Sequence, residues 1–174
     1  TSFNSQRNST QELQISREND IRFHADYPAC EDTMFVGSYL YHCSRVCVTE
    51  ECLYCYRQVS GGANRGRYSG RKAYDPKWMS VFEMTEYMAD LYKDDAVTAA
   101  CRLHEVREAG IVLRSMEAAG YHGADHARLK GILRRGAGLF FRDENSGRSQ
   151  KLSVLLSCIS PKLELAVWKL RNRK

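Results

Sequence analysis

No run of apolar residues in this 174-residue chain approaches the roughly 20 needed to span a bilayer. The polar opening TSFNSQRNSTQELQ also lacks the apolar core of a signal peptide. The sequence therefore predicts no membrane segment and an intracellular protein, nuclear or cytoplasmic. Proline is scarce, at three residues, and each falls at an expected boundary. Pro28 ends a candidate edge strand, IRFHADYP, and Pro76 and Pro161 each follow a capping residue at a helix start.

Motifs of known chemistry are missing as well. His104-Glu105-Val-Arg-Glu108 begins like the metalloprotease motif H-E-x-x-H but ends in Glu, so the second zinc histidine is absent. The deaminase pattern H-x-E followed by P-C-x-x-C does not occur. No local signature marks a nucleophilic cysteine, whose thiolate needs a nearby histidine or a helix N-terminus. The expectation is a non-enzymatic protein.

What is present suffices for a fold. With 43% hydrophobic and 27% charged residues, the chain is too apolar for full disorder and long enough for one good core or two small ones. Its charge is sorted. Lys and Arg stand 5 against 8 Asp and Glu over residues 1–60, 4 against 1 over 61–76, 5 against 8 over 77–120, and 12 against 4 over 121–174. A basic excess confined to a glycine-rich stretch and the last third predicts a polyanion partner.

The seven cysteines are Cys30, Cys43, Cys47, Cys52, Cys55, Cys101 and Cys158. An odd count in a chain with room for a core disfavours a disulfide scaffold. Cys52-Leu-Tyr-Cys55 has the spacing that turns two thiolates toward one zinc ion. Two pairs compete to complete that site: Cys43 and Cys47, close in sequence, and Cys101 with His104, three apart on one helix face. The second pair is preferred, because a structural zinc there would tie the cysteine-rich part to the helices. Cys30 and Cys158 read as core residues. His122 and His126 have helical ligand spacing, but Gly120 and Gly123 place them at a turn.

The secondary-structure reading is α+β. Residues 1–20 form a polar arm. Residues 21–76 form a cysteine-rich region with strands at 21–28, 34–42 and 53–59, and a Gly-Arg loop over 60–74. In that loop Arg65, Arg67, Tyr68, Arg71 and Lys72 mix cations with an aromatic ring, a combination suited to phosphates and bases together. Residues 77–174 are helical. Asp75 caps a helix through Tyr92, Asp94 caps another that Gly110 stops, and a third ends at Gly120. A basic helix over HARLKGILRR then stops at Gly136, a β-hairpin spans 139–159, and Ser160 caps the last helix.

Helix, turn, basic helix and hairpin in this order is the layout of a winged helix. It places Arg128, Lys130, Arg134 and Arg135 on a recognition helix and Arg142, Arg148 and Lys151 on the wing. The sequence thus predicts a zinc-stabilised protein that binds nucleic acid, with RNA or single-stranded DNA slightly favoured by the arginine-tyrosine loop. The alternative is an interaction or regulatory module for an acidic protein partner.

Overall fold

The computed structural model describes residues 14–24, 26–52, 55 and 74–172. Among these residues there are helices and no strand, so the architecture is all-α rather than α+β. After a helical segment at 14–18 come α1 (Glu31–Tyr41), a 3-10 turn (Pro76–Met79), α2 (Ser80–Tyr92), α3 (Asp95–Ala119), α4 (Ala124–Arg142), α5 (Arg148–Ile159) and α6 (Pro161–Arg171).

Helix α3 is the centre. Nearly every residue from Val106 to Met116 is buried, so its apolar surface faces neighbours on all sides. Helices α2, α4, α5 and α6 all pack on it, and α1 packs on α2. Phe82, Leu113, Met116, Leu129, Leu133 and Phe140 fill the space between them and are essentially inaccessible. Each such side chain contributes about 1.5–3 kcal/mol of burial.

Several helix ends follow the sequence. The Asp75 carboxylate accepts from the Lys77 backbone N–H at 3.1 Å. Asp94 accepts from the N–H groups of Ala96 and Val97 at 2.9 and 3.0 Å. Ser160 caps α6, with Pro161 at its first position.

Two glycines expected to stop helices do not. Gly110 and Gly136 lie inside α3 and α4, at a propensity cost of about 1 kcal/mol each relative to alanine. Packing outweighs that cost. A Cβ on Gly136 would run into Val106 Cγ2, and one on Gly110 would touch Ser157 Oγ at 3.4 Å. The missing side chains let α4 and α5 approach α3, and the helices continue through them.

The predicted hairpin at 139–159 is overturned for the same reason. Residues 139–142 complete α4, with Phe140 buried, and residues 148–159 form α5 after a turn in which Gln150 Oε1 accepts from the Gly147 N–H at 3.0 Å. There is no wing. Nor are 34–42 a strand, since Cys30, Met34 and Ser38, four residues apart, line the buried side of α1 and its start. Residues 21–24 and 26–28 have no regular structure, and the strand expected at 53–59 lies outside the described residues, apart from Cys55, which has no regular structure.

Candidate metal centre and basic surface

The cysteines expected to bind zinc are thiols: none of the seven is in a disulfide. Cys43 is half-buried, with its Sγ donating to the Tyr39 carbonyl at 3.4 Å. Cys47, Cys52 and Cys55 are exposed. Cys101 and His104 do share one side of α3, and both line an apolar groove of about 740 Å³ between α1, α2 and α3. Burial, with a smaller contribution from the Glu105 charge, pushes the Cys101 thiol above its usual pKa. His104 Nδ1 lies 3.0 Å from the Arg107 guanidinium. Among the described residues, the cysteines and His104 do not converge as a set of ion ligands.

The donors that do converge are Glu117, His122 and His126, with one ligand atom from each lying within 4.8 Å of the others. The sequence dictates much of this. Gly120 ends α3 in the left-handed conformation, at φ 68°, and its N–H and that of Tyr121 donate to the carbonyls of Glu117 and Met116 at 3.2 and 2.9 Å. That reversal swings His122 back over the last turn of α3. Helix α4 starts at Ala124, so His126 projects from its first turn toward the same point.

His126 Nε2 and Glu117 Oε1 are hydrogen-bonded at 2.9 Å, and His122 Nδ1 lies 3.8 Å from that oxygen. The two imidazoles meet edge to face at 4.9 Å. The Glu117 side chain is 4% exposed, His126 12% and His122 49%, so the centre is rooted in the protein and open on the His122 side. Tyr121 stacks obliquely on Tyr74 at 4.8 Å. The Tyr74 hydroxyl donates to Asp125 at 3.3 Å, and burial followed by the Asp125 charge pushes its pKa well above the usual phenol value.

The basic surface is on α4. Leu129, Leu133 and Phe140 face the core. Arg128, Gly131, Arg135, Gly138 and Arg142 recur at alternating spacings of three and four, which makes one ridge on the far side. The three arginines are exposed. They climb about 10.5 Å per step along the helix. Gly138 leaves bare backbone, since a Cβ there would meet no described residue within 4 Å, whereas the Arg135 guanidinium lies over Gly131, 3.1 Å from where a Cβ would stand.

Arg128 is partly engaged by Glu86, at 3.3 Å. Arg134 is exposed but off the ridge, and its charge acts on Cys158. Lys130 and Lys151 are half-buried, and Arg148 is exposed at the start of α5. The loop residues Arg65, Arg67, Tyr68, Arg71 and Lys72 lie outside the described residues.

The His122/His126 spacing was visible in the sequence, but their third partner, Glu117, was not. It belongs to the preceding helix, and only the turn at Gly120 brings it in. Among the described residues, no helix is long and apolar enough to cross a membrane. No protein-family model, no curated protein and no solved structure matches the chain.

Proposed function

We propose that this protein binds single-stranded nucleic acid without catalysing a reaction, and that the Arg128–Arg135–Arg142 ridge of α4 is a principal contact surface. The observation that carries this reading is the alternation of guanidinium and glycine along one helix face. Guanidinium groups pair with phosphate oxygens in a fork. Gly138, between Arg135 and Arg142, lets a sugar-phosphate chain come close to the helix, while Gly131 makes room for the Arg135 guanidinium to lie along it. No acidic residue follows Asp125 in α4, so nothing on the helix itself opposes a polyanion. The winged-helix layout that would have favoured duplex DNA does not form, and the preference for single strands rests on the mixture of arginine and tyrosine in residues 60–74.

The test is fluorescence anisotropy with a mixed-sequence single-stranded RNA across a salt series. Replacing Arg135 and Arg142 together by alanine is expected to weaken binding severalfold or more. It should also flatten the log-log salt slope by about 0.7 per phosphate contact removed. Glu86→Gln, which releases Arg128, is expected to strengthen binding. Affinity and slope unchanged in the double variant would overturn the reading.

A specific observation supports a second reading, an acidic protein partner. Leu152, Leu155 and Ile159 form an exposed stripe on α5, 43%, 45% and 67% accessible. The exposed ionic groups of α5 and α6 are all cationic among the described residues: Arg148, Lys162, Lys169 and Arg171. An amphipathic acidic helix has the matching face. Leu155→Glu with Ile159→Glu would abolish such docking while leaving RNA affinity intact.

A further inference from the structure

We infer that Glu117, His122 and His126 hold a divalent zinc ion that fastens the end of α3 to the start of α4. Two imidazole nitrogens and a carboxylate oxygen are ligands that zinc accepts, and three protein donors leave a fourth position for water or a ligand from a partner. Bonds of about 2.0–2.1 Å to each donor set neighbouring donors about 3.3 Å apart in a tetrahedron. The observed separations from Glu117 Oε1, 2.9 Å to His126 and 3.8 Å to His122, bracket that value.

The adjustment needed falls on His122, which is half exposed and sits in the 121–123 turn, and not on the packed helices. Glu117 supplies a second, independent argument. A carboxylate whose side chain is 4% exposed is expensive to bury unless its charge is met, and two imidazoles that can present nitrogen lone pairs to a shared cation lie within 4 Å of its Oε1. Zinc is favoured over calcium or magnesium, because those harder ions take oxygen ligands.

The site is distinct from the nucleic-acid ridge. It lies where the end of α3 meets the first turn of α4, before Arg128, and His126 reaches across to Glu117 on α3. Its function would be to fix the α3–α4 corner from which the ridge projects, and its test does not depend on nucleic-acid binding.

The experiment is calorimetric titration of the untagged, chelator-stripped full chain with zinc. A parallel titration with cobalt(II) uses visible absorption to report ligand type and geometry. The expected result is one ion per chain at this centre, with four-coordinate cobalt bands and no thiolate charge-transfer band. His122→Ala alters a half-exposed side chain and should leave the helical circular dichroism of the metal-stripped protein unchanged. It is expected to weaken zinc by more than about tenfold, at least the loss caused by removing an outer-shell partner, and to abolish any zinc-induced rise in melting temperature.

His126→Ala should do the same, and Cys52→Ser with Cys55→Ser should leave this binding intact. Two results would overturn the inference: no zinc binding at all, or binding that survives His122→Ala and His126→Ala while the cysteine replacements remove it.

Discussion

The Arg114 guanidinium donates to the Glu164 carboxylate at 2.8 Å, joining α3 to α6 between side chains that are 7% and 3% exposed. Ser153 donates to the same oxygen at 2.7 Å, and the ring of Trp168 lies 5.0 Å beneath the guanidinium. Three helices therefore meet at one buried ion pair. The pairing is incomplete, since Arg114 Nε and Glu164 Oε2 have no hydrogen-bond partner among the described residues.

Removing one member leaves the other charged and buried, so Glu164→Ala or Arg114→Ala is expected to destabilise by about 3–5 kcal/mol. Replacing both, as Arg114→Met with Glu164→Leu, removes both desolvation penalties together and should cost far less than either single change. Urea denaturation of the three variants checks this. A double variant as unstable as the singles would show that the pair contributes net stability.

The close approach of α4 to α3 at Gly136 makes a second prediction. Gly136→Ala adds a methyl group into Val106 Cγ2, and Val106 is fully buried with a branched side chain that has little freedom to move. The expected loss is about 1–3 kcal/mol, although alanine is the better helix former. Gly138→Ala, on the same helix with no described residue within 4 Å of the added methyl, should stabilise by up to about 1 kcal/mol. Thermal melts of the two variants should move in opposite directions.

Cysteine reactivity should divide by position. Burial raises the pKa of Cys101 and also that of Cys158, where Arg134 pulls the other way and loses. A raised pKa means less thiolate at neutral pH, and the thiolate is the reactive form. Cys101 and Cys158, along with buried Cys30, should therefore alkylate far more slowly in the native protein than exposed Cys47, with the rates at Cys101 and Cys158 still climbing above the usual thiol range. Mass-spectrometric mapping of iodoacetamide adducts against pH checks this. Equal rates at Cys47 and Cys101 would contradict it.

Asp75 gives a pH dependence with a definite sign. Desolvation works to raise its pKa, but the Lys77 backbone N–H, its side-chain hydrogen bond and its charge prevail and hold the carboxyl below the usual aspartate value. A group whose folded pKa is depressed stabilises above its unfolded pKa, and the contribution disappears as pH falls through the folded value. Asp75→Ala should cost about 1 kcal/mol at neutral pH through loss of the cap, with the difference from the parent shrinking below about pH 4. A difference that does not change with pH would exclude this account.

Local sequence is enough to set where several helices begin and end. Asp75, Asp94 and Ser160 cap, and Gly120 terminates, through local backbone chemistry that needs no distant partner. It also determined the basic character of α4. Glycine was the residue that could not be read locally. Gly120 stops α3 because its φ is positive, whereas Gly110 and Gly136 keep helical geometry because another helix occupies the space a side chain would have taken. The apolar run at 151–159 carries no periodicity that separates a strand from a buried helix, and packing on α3 and α6 makes it α5. The Arg-Gly ridge existed in the sequence as a spacing, yet it becomes a surface only because α4 continues through Gly136. Likewise Glu117 joins His122 and His126 only after the chain reverses at Gly120. Which side chains share a point in space depends on how helices cross, and that is decided by the fit of side chains far apart in the chain.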